Sequence, residues 1–200
     1  DDVYEICRMT NLEYLNLKNA KIVEGGKQYY EYSDCITKEG EVGEYMFHEM
    51  KDLKEVIIPL NTKTIGRFSI ASCYKLYSVT LNEGLESIGH GALGWNTSLT
   101  EILLPKSLKV IDNSAFHWSS IINITIPENV TTIGNKAFLV YPNSSTLKEI
   151  HIKAKPETLT TIGTDAFDGV YETATLYIPK GTKEAYSKTE LGRFVNIVEE

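Results

Sequence analysis

The residues of this chain able to do chemistry are four histidines, three cysteines and a recurring glutamate, and their spacing scatters them. His48 and His117 each follow a large apolar residue at the same place in a repeating pattern, three copies apart. Stacked strands lie about 4.8 Å apart, so three steps separate these two by about 14 Å. A zinc ion holds its nitrogen ligands at about 2.0–2.1 Å, so the pair cannot share one. His90 falls in a turn after Gly89, and His151 sits between Ile150 and Ile152, facing out of a strand. Glu55, Glu101 and Glu149 recur at one strand position, about 10 Å apart from one to the next. They read as a solvated acidic stripe, lacking the close pair in opposed environments that acid–base catalysis uses. Neither G-x-S-x-G, H-E-x-x-H, a phosphate-binding P-loop nor G-x-G-x-x-G occurs. Cys7, Cys35 and Cys73 form no C-x-x-C pair. Cys73 reads as a small buried thiol, whereas Cys7 and Cys35 fall near one another in the first copy, leaving a disulfide open. The reading is of a protein that is not an enzyme, with no cofactor and no metal.

What places these residues is a cassette recurring every 22–26 residues. Leu53 to Pro59 leads to Ile65-Gly66, Leu76 to Asn82 to Ile88-Gly89, Leu99 to Pro105 to Ile111-Asp112, and Ile121 to Pro127 to Ile133-Gly134. Looser copies run from Leu147 to Ile162-Gly163 and from Thr173 to Pro179, while Leu12, Leu15 and Leu17 begin the series. Within a cassette the apolar positions fall at 0, +3 and +5, as in Leu53, Val56 and Ile58, and the last two differ by two, which puts both on one side of an extended strand. The proline that follows lacks an N–H and ends the strand. The glycine after the later isoleucine is expected to supply a turn with positive φ, Asp112 replacing it once. A small-plus-large pair such as Ala115-Phe116 or Ala137-Phe138 then turns the chain back. Such a repeat buries its apolar face only against its neighbours, so the fold expected is a right-handed β-rich α/β solenoid of about seven coils, with parallel stacked strands and short helical or turn segments. Residues 1–179 form the repeat array and 180–200 its C-terminal cap. The first ten residues read as the end of an earlier coil, with part of the natural protein preceding them. About 18 residues, roughly 21–40, interrupt the first copy as a surface loop or hairpin, and smaller insertions fall at 142–145 and 155–157.

The pattern L-x-x-I-x-I-P-x-x-[VL]-x-x-I-G-x-x-A-F resembles the BspA-like leucine-rich repeats of Bacteroidetes surface proteins. Residues 121–138 match it almost position for position, and the opening from Leu12 and the closing stretch from Leu176 to Val198 are similar to that family's ends. Departures are Asn82 and Lys153 for proline, Asp112 for glycine and Ile70 for phenylalanine. The resemblance implies an exported adhesion or interaction module, extracellular or on the cell surface, some relatives binding host matrix proteins. It brings no catalytic motif.

A net charge of −7 disfavours nucleic acid, which wants a basic stripe, and no run of about 20 apolar residues is present to span a membrane. The remaining candidate is the outward face of the strands: Tyr14 and Asn16, Glu55 and Ile57, Ser78 and Thr80, Glu101 and Leu103, Asn123 and Thr125, Glu149 and His151, Thr175 and Tyr177. A mixed apolar and polar strip of this kind suits a protein partner. The insert adds Tyr29, Tyr30 and Tyr32, whose rings and hydroxyls suit protein or glycan contact and equally suit packing the insert itself. N-x-[ST] sequons at Asn96, Asn123, Asn129 and Asn143 arise readily in a threonine-rich chain. The function expected is protein–protein adhesion by a monomer, the alternatives being a structural spacer or a carbohydrate-binding surface protein.

Overall fold

The computed structural model describes residues 2–31, 35–140 and 146–200. Tyr32, the insertion at 142–145 and the Asn143 sequon lie outside them. In chain order the elements are α1 (Asp2–Cys7), β1 (Tyr14–Asn16), β2 (Glu41–Val42), β3 (Glu55–Ile57), β4 (Thr64–Ile65), β5 (Ser78–Thr80), β6 (Ser87–Ile88), β7 (Val110–Ile111), β8 (Asn123–Ile126), β9 (Thr132–Ile133), β10 (Glu149–Ile152), β11 (Thr161–Ile162), β12 (Thr175–Ile178), α2 (Lys183–Tyr186), a 3-10 turn (Glu190–Arg193) and β13 (Asn196–Glu199). Among the described residues every pair of these named strands is parallel. The fold is a parallel β-solenoid in which most coils give one strand to a long-strand row and one two-residue strand to a second row.

The second row is one sheet, β2-β4-β6-β7-β9-β11, and its register aligns Ile65 with Ile88, Ile88 with Ile111 and Ile111 with Ile133. The cassette's isoleucines therefore stack on one another. The Ala-Phe corners stack as well: Phe116, Phe138 and Phe167 lie ring on ring at 5.1 Å between centroids in each step. Between the two rows the apolar positions are almost fully buried, Leu53, Leu76, Leu85, Leu99 and Leu108 among them at 0% exposure. Proline ends the long strands as expected. Where Lys153 replaces it, the N–H extends the ladder by one bond, to the carbonyl of Ile126 at 2.9 Å. Where Asn82 replaces it, the side-chain amide donates to the carbonyls of Leu60 (2.9 Å) and Thr62 (3.0 Å) in the preceding coil.

The recurring corner glycines do a different job from the one expected. Gly66, Gly89, Gly134 and Gly163 are not among the positive-φ residues; that conformation falls two positions later, at Tyr45, Phe68, Gly91, Ser114, Lys136 and Asp165. The glycine is needed because the coil above passes too close. A Cβ at Gly66 would lie 2.9 Å from the Glu44 nitrogen, one at Gly89 2.9 Å from the Ile65 oxygen, and one at Gly134 2.6 Å from the Asp112 carbonyl carbon. The corners close through single hydrogen-bonded turns, such as Ser69 N–H to the Gly66 carbonyl and His117 N–H to the Ser114 carbonyl, and no helix forms there among the described residues.

The ends differ from the coils. Residues 2–7 form helix α1 instead of a coil, and Val3, Tyr4, Ile6 and Cys7 pack on the first coil. At the other end Tyr186, Leu191 and Phe194 are buried against the last coil, Tyr186 donating its hydroxyl to Ala154 at 2.7 Å, and β13 pairs along β12.

Gly134→Ala is expected to lower stability by about 1–3 kcal/mol, the cost of forcing atoms into a filled space. Ser114→Gly, at a left-handed position (φ 56°) in the neighbouring corner, is expected to be neutral or stabilising. Urea unfolding midpoints of the two variants check this; the opposite ranking would restore the glycine to a role in φ.

Candidate functional site

Side chains alternate along the long strands, β1 reading exposed-buried-exposed and β8 and β10 continuing the alternation. The sequence-derived strip therefore does face outward, but unevenly. Tyr14 is 56% exposed and Leu103 90%, and Asn16, Thr80, Glu101, Asn123, Thr125 and Glu149 are also exposed. Glu55, Ile57, Ser78, His151, Thr175 and Tyr177 are only half-exposed. Cross-strand partners hold several of these. Tyr77 donates its hydroxyl to Glu55 at 2.5 Å, and that hydrogen bond, which needs the proton, pushes the phenol up to about 12, with desolvation and the neighbouring carboxylate charge adding to it. His151 stacks flat on Tyr177 at 4.3 Å and meets Glu200 through Nδ1 at 3.1 Å, and Lys153 also binds Glu200, whose carboxyl is held below its usual range by both partners. This end of the strip is a stacked, ion-paired patch, while the stretch around Leu103 is open.

The insert behaves as a hairpin, with Gly25 and Thr37 exchanging both backbone hydrogen bonds and Tyr29 N–H reaching the Cys35 carbonyl at 3.0 Å. Tyr29 is not a contact residue. It is 9% exposed, and its hydroxyl occupies the space a side chain at Gly43 would need. Burial, with Cys35 alongside, raises its phenol well above the normal range. Cys7, Cys35 and Cys73 are all thiols; Cys7 donates to the Met46 carbonyl at 2.7 Å, and burial pushes Cys7 and Cys73 each up to about 12. Asn96 is also unavailable as a glycan acceptor in the folded chain, being 0% exposed with its amide bonded to Ile70 and Leu93 carbonyls.

One surface feature escaped the sequence reading. Three of the histidines lie in a single file of rings along the corners: Tyr30 on Tyr45 at 4.5 Å, then Tyr45–His48 (5.4 Å), His48–Phe68 (6.4 Å), Phe68–His90 (5.1 Å), Phe68–Trp95 (5.9 Å), Trp95–His117 (5.0 Å) and His117–Trp118 (4.8 Å). Four of these rings stand on left-handed backbone, Tyr45, Phe68, Trp95 and Trp118, with φ between 49° and 59°. That conformation costs a residue with a Cβ about 1–2 kcal/mol, so the ridge is bought against local preference. The only hint in the sequence was an aromatic or histidine recurring one or two residues after the corner glycine and again near the corner's end. The histidines are spread along the file, and no cluster of three or more metal-ligating side chains forms among the described residues.

Parallel coils, a leucine or isoleucine core and a glycine-dependent corner define a leucine-rich-repeat solenoid. The family model of the BspA type leucine rich repeat region matches residues 36–141 and 140–189, in six copies, and the chain belongs to that family. The structure is similar to the pneumococcal vaccine antigen PcpA (TM-score 0.67, 23% identity, covering 95% of this chain and 56% of that one). It is also similar to a leucine rich cell surface protein of Faecalibacterium prausnitzii (0.58, 24%, 84% and 48%) and to a leucine-rich repeat protein of Bacteroides ovatus (0.52, 22%, 84% and 52%). The chain thus spans about half the length of these three. No curated protein matches it in sequence. No helix among the described residues is long and apolar enough to cross a membrane.

Burial among neighbouring rings lowers the pKa of His48 and His117, with Lys136 adding to the effect at His117 and Glu49 opposing it at His48. An unfolded histidine titrates near about 6.5. The neutral, packed rings therefore contribute fully above that pH, and the contribution falls as the pH drops from there toward the lowered folded values. The carboxyls held low by lysines, Asp52 and Glu86, act only at more acid pH. Thermal melts between pH 7.5 and 5 are expected to show a falling Tm that flattens in a His48→Phe/His117→Phe protein; an unchanged slope would remove the ridge from the pH dependence.

Proposed function

We propose that the chain is a non-catalytic, extracellular or cell-surface binding module that holds a protein partner on the outward face of its long strands. The observation that carries this is Leu103, 90% exposed beside exposed Glu101 and Thr80 on the outward face between β5 and β8, with no helix among the described residues laid over it. A large apolar side chain fully in water gains from a partner, and about 1.5–3 kcal/mol is released on burying it. Tyr14, Asn16, Thr125 and Glu149 extend the same strip, supplying an amphipathic ring and polar groups for orientation. The cell-surface description of the F. prausnitzii protein supports the location, and repeat architecture supports binding over catalysis. A protein partner from a host matrix or surface fits a strip of this composition, and the chain acts as a monomer. Purely structural spacing would leave no reason for an exposed leucine at the centre of the face.

The aromatic ridge favours a second reading, a glycan bound along the corners, because half-exposed rings with interleaved polar groups suit sugar faces.

The purified chain is expected to bind a protein from a panel of immobilised extracellular-matrix proteins saturably and in salt. Tyr14→Ala, Glu101→Ala and Leu103→Ala together should weaken capture at least tenfold with an unchanged Tm, while Trp95→Ala should leave it intact. Capture insensitive to the triple change rejects the strand face; binding to a glycan panel lost in the Trp95 variant moves the site to the ridge.

A further inference from the structure

The long-strand row is broken where the cassette predicts it to be continuous. It forms two sheets, β1-β3-β5 and β8-β10-β12-β13, and residues 101–104 between them belong to neither. The second row runs unbroken past the same coils, Ser87 and Ile88 pairing with Val110 and Ile111. Among the described residues no hydrogen bond reaches the N–H of Glu101, Ile102, Leu103 or Leu104; the nearest ladder bond is Ile122 N–H to the Thr100 carbonyl. On the facing strand, Ser78 N–H takes the Lys54 carbonyl and the Thr80 carbonyl accepts from Ile58. Alternate residues of a parallel strand turn their polar groups to opposite sides, so Val79 and Leu81 aim theirs at the gap. The gap is a cleft of roughly 470 Å³ lined by residues 77–81 and 101–103. Its effect on the core is measurable. Val79 and Ile102 are 8% and 7% exposed where Val56 and Ile150 are 1% and 0%, and Leu81 and Leu104 are half-exposed where Ile58 and Ile126 are 1% and 0%.

We infer that this seam binds an extended peptide segment of a partner by strand addition, the peptide carrying a basic residue followed two positions later by an aliphatic one. The inference rests on the strand-face reading and specifies its mode. Unpaired strand edges pair with any extended backbone, which gives affinity without sequence preference. Preference comes from the two outward side chains of the free segment. Glu101 is exposed and forms no ion pair among the described residues, and Leu103 stands two residues further along on the same face. Directly opposed residues on adjacent strands pair by charge and by apolar contact, so a lysine or arginine meets Glu101 and an aliphatic residue covers Leu103. The residue between them points inward, toward Val79 and Ile102, and is apolar. The chain's net charge of −7 favours the approach of such a basic segment.

The probe is the blocked pentapeptide Thr-Lys-Val-Leu-Thr, with an isomer in which Lys and Leu are exchanged and a form N-methylated at alternate residues. In the free protein the amides of Glu101 and Leu103, which by the same alternation face the gap, are expected to exchange with deuterium at least a hundredfold faster than those of Ile124, Ile126 and Ile150, and to slow when peptide is added. N-methylation, which removes donors but keeps side chains, should weaken binding at least tenfold, as should Glu101→Lys, an exposed change that leaves the fold intact. The exchanged isomer should bind several-fold less well. Glu101 and Leu103 amides as protected as those of β8, or a methylated peptide binding as tightly as its parent, overturns the seam. If that occurs while the Tyr14, Glu101 and Leu103 changes still abolish capture of a matrix protein, the strand face stands and only this mode fails; if neither peptide nor protein responds, both fall.

Discussion

Backbone hydrogen bonding between successive coils, at a fixed rise of about 4.8 Å, is the constraint on which the rest of this structure depends. Each coil must place its Lys63-, Lys109- or Thr131-type carbonyl under the N–H of the next, and it does so along the second row without interruption from β2 to β11. Equal rise demands equal shape, and equal shape demands that the same residue type recur at the same place. The isoleucine column, the stacked phenylalanines at 5.1 Å and the corner glycines are consequences. A Cβ at Gly134 or Gly163 would collide with the main chain of the coil before it, so the ladder itself excludes side chains there.

The same constraint makes departures from the repeat affordable only on surfaces. The insert leaves the first coil before β2 and returns without disturbing the Val42–Ile65 register. It is anchored by burying Tyr29 over Gly43, by Cys35 and by Tyr30 stacking on Tyr45. The corners accept aromatic rings in left-handed conformation because ring-to-ring contact along the stack, worth about 0.5–1.5 kcal/mol per pair, offsets a strain of similar size. The outer strand face, with no core to fill, carries unlike residues from coil to coil.

Periodicity made the architecture legible: apolar spacing of two located the long strands, proline located their ends, and the displaced half-copies located the insert. Alternation alone also placed Leu103, Glu101 and Tyr14 outward correctly. Exposure was harder to read, because it depends on what the neighbouring coil offers. Ile57 and Tyr177 occupy outward positions yet are half-covered, Tyr177 by His151 directly opposite it on the adjacent strand. The glycine's role was misread because a close approach and a positive φ leave the same residue in the sequence, and only the coil above distinguishes them. The histidines looked scattered because their numbers differ by 27 to 42; in the stack those intervals are one or two coils, and His48, His90 and His117 fall on one file of rings.

The break at residues 101–104 was illegible for a different reason. Leu99 to Pro105 satisfies the cassette as well as any other copy, and nothing in its residues accounts for the missing bonds. Yet a repeat array has few ways to create a unique site. Every regular coil shows a partner the same backbone, already paired, so binding must either read side chains across the face or find a place where pairing lapses. Here the two coincide: the unpaired segment carries the most exposed large apolar residue in the described chain, beside a carboxylate with no counterion. The second row keeps the coils joined behind the gap, so opening the strand row costs ladder bonds on one side without costing the solenoid its continuity. A discontinuity that exposes backbone and core at once is costly to keep empty, and it differs from the terminal edges at β1 and β13 in lying between two sheets, where the proposed incoming strand would complete the pattern instead of extending an end.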